Sequence, residues 1–130
     1  LLTLHDAIQL VFYALKNAKG GEIFVKKAPS AKIEDLAKAY AEIITKRKDY
    51  PIDFVGIRPG EKIHEILISE EEMRFAIERK DHYIIKKEKY EFDKESTKKK
   101  ISFNEYSSGS VKIMNMNELK SIMNNLTWVI

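Results

Sequence analysis

The sequence predicts a small mixed α/β domain in which short strands are covered by about four helices. Two observations lead to this fold class. Apolar residues recur at helical spacing after capping residues, and short β-branched or aromatic runs alternate with those helices. The chain has 130 residues, of which 44% are hydrophobic, so it is long enough to bury a core. We therefore expect a single domain over residues 1–130.

Each predicted element has its own local signal. The expected elements are, in order, a helix from Thr3 that stops before Gly20, a strand at 23–25, a helix at 34–45, strands at 52–57 and 66–68, a helix from Ser69 to about Arg79, strands at 83–85 and 101–103, and a helix from Asn115 to about Asn124. The helix at 34–45 has no good capping residue, so its N-terminus should be held less tightly.

Composition excludes several classes of protein. Lysine and arginine number 23 against 20 acidic residues, a mixed surface with a net charge of only +3. There is no cysteine, so disulfides and thiolate metal sites are excluded, which fits a cytoplasmic protein. No apolar run is long enough to span a membrane. The start resembles no signal peptide and is not Met, so we expect an excerpt of a longer protein.

Residues 86–100 are rich in lysine and contain no aliphatic residue. Such a stretch is typical of a solvated excursion from the domain. Because Tyr90 and Phe92 lie among the lysines, a non-catalytic module that binds nucleic acid or another partner is the alternative from a different class. We do not expect nucleic acid to be the partner.

The stretch Arg58-Pro59-Gly60-Glu61 follows a predicted strand and should form a sharp turn. Proline biases the preceding residue towards an extended conformation, and glycine allows positive φ. Arg58 and Glu61 would thus lie together at the end of a strand. A guanidinium suits a diphosphate and a carboxylate suits the paired hydroxyls of a ribose, although the same residues also suit a plain surface turn.

No catalytic or cofactor-binding residue is predicted within the chain. It has no Gly-x-Gly-x-x-Gly fingerprint for a dinucleotide. Tyr83 and Lys87, like Tyr90 and Lys94, match a Tyr-x-x-x-Lys spacing, but that spacing works on a helix. The first pair starts in a β-branched run and the second lies in the polar excursion, so we interpret both as chance matches.

The three histidines, His5, His64 and His82, are not paired at a spacing that suits a metal, so no metal site is predicted. We expect His5 and His82 at the surface. His64 comes six residues after Arg58 and could line the same cleft in a supporting role.

Four stretches carry a resemblance to a known family. They are Leu2–Ala7, Gly20–Ser30, Arg58–Glu72 and Glu105–Ser108. In this order they resemble the C-terminal part of the inverting UDP-N-acetylglucosamine 4,6-dehydratases, which are extended short-chain dehydrogenases/reductases. The resemblance covers nearly the whole chain and is weakest over 86–103. It implies that residues 1–130 are the substrate-binding C-terminal domain of an enzyme whose Rossmann domain lies elsewhere.

The resemblance also implies the roles of the site residues and partners. Arg58 would hold the diphosphate of UDP-N-acetylglucosamine or a related UDP-sugar, and Glu61 the ribose hydroxyls. The full-length enzyme would use NADP, oxidise C4, eliminate water across C5–C6 and return the hydride to C6 with inversion at C5. It would serve polysaccharide or glycan biosynthesis, and we expect a homo-oligomer. The hydroxyls of Tyr106, Ser107 and Ser108 could reach a ligand or a neighbouring subunit. The isolated chain is expected to be inactive.

A UDP-sugar 4-epimerase remains the alternative function within the same class of enzyme. Epimerase members of the family tend to carry histidine at the position of Pro59, so the sequence favours the dehydratase. Dehydratase and epimerase share the expected UDP-sugar site and differ in what the rest of the enzyme does with the sugar.

Overall fold

The computed structural model describes residues 1–86 and 104–126. Its elements are α1 (Leu4–Asn17), β1 (Ile23–Lys26), α2 (Ile33–Thr45), β2 (Ile66–Ile68), α3 (Glu70–Met73), β3 (Ala76–Glu78), β4 (His82–Ile85), β5 (Tyr106–Ser107) and α4 (Met116–Asn124). The predicted fold class, a small mixed α/β arrangement with four helices, is confirmed. The predicted strand at 101–103 and all but the first residue of the lysine-rich stretch lie outside the described residues.

The chain forms two compact units. Unit 1 comprises Leu1, Pro29–Ile63 and Lys112–Ile130, and unit 2 comprises Leu2–Ala28 and His64–Val111. Each unit has a core of its own, as expected when a chain buries its apolar side chains in separate clusters.

Unit 2 is built on two small antiparallel sheets. The first has the order β1-β4-β3, with Ile23 opposite Ile85. The second pairs β2 with β5 through an irregular register. The buried cluster of this unit consists of Met73 from α3 and the strand residues Ile68, Ala76, Ile85 and Tyr106.

Unit 1 is held together by α2 and α4. The buried residues of this unit are Ala39 of α2, Leu119 and Met123 of α4, and Met114, which precedes α4. Lys120 Nζ of α4 lies 2.7 Å from Glu42 Oε2 of α2, an ion pair that links the two helices. A single parallel bridge joins Ser30 to Ile113 at the entry to α2 and α4.

Helix ends follow the capping signals closely. Thr3 accepts a hydrogen bond from the Asp6 backbone, and Asn115 forms a complete capping box with Glu118. Lys32, by contrast, makes no side-chain capping bond to α2, which confirms the expectation of a poorly capped N-terminus.

Two predicted elements are wrong. The helix expected to run from Ser69 to Arg79 ends at Met73, because residues Ala76–Glu78 pair with β4 instead. The strand expected at 52–57 does not form: its side chains are mostly exposed, and Gly56 has a φ of +76°, outside the β region. Local apolar patterns cannot tell whether a partner strand exists.

None of the helices within residues 1–86 and 104–126 has both the length and the apolarity needed to cross a bilayer.

Candidate functional site

The Arg58–Glu61 stretch forms the predicted turn. The Glu61 N–H donates to the Arg58 carbonyl at 3.0 Å, and Gly60 has a φ of +88°. Proline at the second position and a glycine with positive φ at the third are typical of a type II β-turn. A side chain at Gly60 would therefore strain the backbone, so the turn needs this glycine.

The Glu61 carboxylate makes a second hydrogen bond across the turn. Its Oε2 accepts a hydrogen bond from the Arg58 backbone N–H at 2.9 Å. Arg58 and Glu61 are both exposed. Across the part of the chain that the structure describes, no ion pair engages the Arg58 guanidinium. The turn thus places one exposed guanidinium and one oriented carboxylate three residues apart, within reach of a single ligand.

Directly after the turn, in unit 2, the chain packs against the segment 106–109. The Glu65 N–H donates to Ser108 Oγ at 2.9 Å, and the Ser108 N–H donates to the Glu65 carbonyl at 2.8 Å. Gly109 lies so close to His64 that a β-carbon there would sit 2.9 Å from His64 Cγ. Two of the stretches that carry the resemblance therefore meet in space.

Tyr106 connects this segment to a third such stretch. Its hydroxyl accepts a hydrogen bond from the Ala28 N–H at 3.0 Å, and its ring packs against that of Tyr83 at a tilt of 51°, with 5.1 Å between centroids. Tyr106 is 8% exposed and Ser107 is 6% exposed. The expectation that these two hydroxyls reach a ligand is wrong, because both side chains are buried and the Tyr106 hydroxyl is bonded to Ala28 within the fold.

The structure also contains a second charged cluster, which was not predicted from the sequence. Asp81 Oδ2 lies 2.8 Å from Lys26 Nζ, and Asp81 Oδ1 lies 2.8 Å from His82 Nδ1. The hydrogen bond from Lys26, followed by that from His82, lowers the pKa of Asp81 to about 2. His82 is buried, contrary to the expectation of a surface residue, and Tyr13 packs edge-on against its ring at 4.5 Å.

This cluster borders a cavity of about 330 Å³ that is lined in part by Tyr13 and Lys16. The adjacency of Asp81 and His82 is visible in the sequence, but the approach of Lys26 depends on the pairing of β1 with β4. His5 is exposed, as expected. Among residues 1–86 and 104–126, no group of three metal-ligating side chains comes together.

The residues present do not fit a dinucleotide cofactor. The five glycines of the chain, at positions 20, 21, 56, 60 and 109, cannot form a Gly-x-Gly-x-x-Gly motif. Close backbone approach to a pyrophosphate needs that glycine spacing at the start of a helix.

The fold and the turn belong to a recognised class, the smaller mixed α/β part of an extended short-chain dehydrogenase/reductase. The chain matches the X-ray structure of Pen from Bacillus thuringiensis with a TM-score of 0.79 and 31% sequence identity, over 97% of this chain and 36% of that one. A family model described as polysaccharide biosynthesis protein matches residues 1–87, and the chain belongs to this family.

Curated relatives extend the match over nearly the whole chain. A UDP-glucose 4-epimerase of Rickettsia rickettsii (strain Sheila Smith) is 36% identical over 134 residues, covering 99% of this chain and 39% of the relative. A UDP-glucose 4-epimerase of Rickettsia typhi (strain Wilmington) is 35% identical with the same coverage. The chain thus spans about two fifths of the length of these relatives.

Proposed function

We propose that residues 1–130 are the UDP-sugar-binding portion of a nucleotide-sugar-modifying enzyme, and that the Arg58 turn is its nucleotide site. The observation that carries this proposal is the hydrogen bond from the Arg58 N–H to Glu61 Oε2, which orients the carboxylate on the turn. The names of the curated relatives support a UDP-sugar as the ligand.

In this proposal Arg58 and Glu61 bind different parts of the nucleotide. The guanidinium presents a planar fork of N–H donors that matches two phosphate oxygens at once. The Glu61 carboxylate, held by the turn, accepts hydrogen bonds from the two ribose hydroxyls. Because the turn is closed before the ligand arrives, less conformational freedom is lost on binding.

The chemistry would lie outside this chain. The remaining part of the enzyme supplies a nicotinamide dinucleotide, with NADP expected from the resemblance, which accepts and returns a hydride. Residues 1–130 would contribute binding energy and orientation, so the isolated chain should show no turnover. The parent enzyme is further proposed to be a homo-oligomer that acts in polysaccharide or glycan biosynthesis, in keeping with the family description.

Two reactions share this site, and a specific observation supports each. The relatives are named UDP-glucose 4-epimerases, which supports a 4-epimerase. Pro59, where epimerase members tend to carry histidine, supports the inverting UDP-N-acetylglucosamine 4,6-dehydratase. Mass spectrometry of the product separates them, because a dehydratase product lacks one water and an epimerase product keeps the mass of the substrate.

The site is tested by titrating the protein with UDP and UDP-N-acetylglucosamine in a calorimeter. A charge-assisted hydrogen bond contributes roughly 1.5–3 kcal/mol, so Arg58→Ala should weaken binding at least tenfold. Arg58→Lys, which keeps the charge but not the fork, should recover only part of the loss.

Arg47→Ala is the matched control, because Arg47 is also an exposed arginine of unit 1, paired with Asp49 at 3.3 Å. It should leave the affinity for UDP unchanged. If Arg58→Ala bound UDP as tightly as the wild type, the turn would not be the nucleotide site.

A further inference from the structure

Helix α1 displays an apolar stripe that its own unit covers only in part. Five large apolar side chains along the helix are 43–76% exposed: Leu4, Ile8, Val11, Phe12 and Leu15. At 100° per residue they fall within an arc of about 100°, the width of a core-facing stripe, and no charged residue falls inside that arc. No residue of α1 is buried.

The contacts of α1 within unit 2 are made by another face. Tyr13 packs edge-on against Phe24 at 6.0 Å and against His82 at 4.5 Å between ring centroids. On the helix, Tyr13 lies about 180° from Leu4. The helix therefore packs on β1 and β4 through its opposite side and turns its most apolar face outward.

The exposed apolar area of this face is at the upper end of what monomeric proteins show. Five side chains of this size, exposed to this degree, present on the order of 500 Å² of contiguous apolar surface, about the largest patch that monomers normally show. Removing an apolar area of this size from water is a strong driving force for association, because the hydrophobic gain grows with the area buried. The stripe is thus suited to a permanent contact.

We propose that the stripe Leu4-Ile8-Val11-Phe12-Leu15 is the packing face for the dinucleotide-binding part of the same polypeptide. This inference rests on the proposed function, in which residues 1–130 are one portion of a longer enzyme. The first of these relatives matches this chain over 99% of its length, and about three fifths of the relative's own length lies outside the match. It therefore contains, within one polypeptide, a body large enough to cover α1.

The chemistry of the stripe favours a permanent partner over a transient one. Permanent interfaces resemble a domain core cut in half, whereas transient ones mix in polar and charged residues. The arc contains no polar group that would fix the register of a separate molecule. An intramolecular partner needs no such register, because the connecting chain holds it at high effective concentration.

The test uses the absence of natural cysteines from residues 1–130. The Leu15→Cys variant places a thiol on the stripe, and the Ile33→Cys variant is the matched control. Leu15 on α1 is 76% exposed and Ile33 on α2 is 77% exposed, so the two thiols start from equal accessibility. Maleimide labelling rates are compared between the 130-residue chain and the longer polypeptide, with any cysteine outside residues 1–130 replaced by serine.

We expect labelling of the Leu15→Cys variant to slow at least tenfold in the longer polypeptide, at every protein concentration, while labelling of the Ile33→Cys variant stays within twofold. Equal labelling of Leu15→Cys in both proteins would overturn the proposal. So would protection that disappears on dilution, which indicates a second copy, or protection already present in the monomeric 130-residue chain.

Failure here is distinguishable from failure of the proposed function. UDP binding is measured on the same longer polypeptide, and Arg58→Ala reports on it independently of the stripe. A protein that binds UDP through Arg58 but labels freely in the Leu15→Cys variant would keep its proposed function and lose only the packing face.

Discussion

The phenolic oxygen of Tyr106 lies 3.0 Å from the backbone nitrogen of Ala28, 78 positions earlier in the chain. This one hydroxyl ties the segment that follows β1 to the segment that packs against Glu65. Because Tyr106 is buried, water cannot replace the bond without a rearrangement.

Removing that hydroxyl should destabilise the protein without creating a cavity in the core. Tyr106→Phe keeps the ring on Tyr83 but leaves the Ala28 N–H without this acceptor, so we expect a loss of about 0.5–1.5 kcal/mol in urea unfolding. Tyr50→Phe is the control, because Tyr50 is 47% exposed and should change the free energy of unfolding little. Equal losses in the two variants would contradict the structural role of the bond.

The Asp81 cluster predicts a pH dependence of stability. Lys26 first, and His82 second, lower the pKa of Asp81 from 3.8 to about 2 in the folded state. The carboxylate therefore stabilises the fold above the unfolded pKa, and this contribution is lost as the pH falls from about 4 to 2. Because the Asp81 side chain is 59% exposed, we expect Asp81→Asn to cost no more than about 1 kcal/mol at pH 7.

The measurement is chemical unfolding of the wild type and Asp81→Asn at pH 7, 4 and 2. The difference between them should shrink over the lowest interval and should also shrink in high salt. Asp53→Asn, at an exposed position, serves as the control. A difference that stayed constant down to pH 2 would show that Asp81 does not act through its charge.

Lys46 ends α2 in a left-handed conformation with a φ of +59°. This conformation crowds the β-carbon of every residue except glycine. We expect Lys46→Gly to raise the midpoint of thermal unfolding by a few degrees, corresponding to about 0.5 kcal/mol. The gain is modest because glycine also makes the unfolded chain more flexible.

Lys46→Ala separates the backbone effect from the side chain. It removes the hydrogen bond from Lys46 Nζ to the Ile43 carbonyl but keeps the crowded β-carbon. This variant should be no more stable than the wild type. A gain as large as that of Lys46→Gly would mean that the side chain, and not the backbone, is the source of strain.

The contact between Gly109 and His64 should behave as a coupled pair. A β-carbon at position 109 would approach His64 Cγ to 2.9 Å, so Gly109→Ala forces the ring to move, at a cost of about 1 kcal/mol. In a His64→Ala background the same substitution should cost little. Additive losses in this double-mutant cycle would show that the two residues do not contact each other in solution.

Much of the fold could be predicted because its signals are local. Thr3 and Asn115 mark helix starts whose capping bonds the structure contains, and the geometry at Gly60 follows from an Arg-Pro-Gly sequence. The poor cap at Lys32 could likewise be anticipated. In each case the physical cause lies within a few residues of the effect.

What could not be predicted depends on distant partners. The run after Met73 has enough helical character to extend α3, but Ala76–Glu78 finds β4 and becomes a strand. At the candidate site, the turn itself was predictable, whereas the bonds of Glu65 to Ser108 join residues 43 positions apart. The burial of His82 likewise depends on the approach of Tyr13 from α1.

The strand order β1-β4-β3 has a consequence for how the protein is made. Ile23 pairs with Ile85, so β1 leaves the ribosome long before the strand that it needs. Closing so long a loop is slow and entropically costly, and an unpaired strand is prone to pair with the wrong neighbour. The first sheet of unit 2 can therefore form only after β4 has emerged, and its second sheet only after β5.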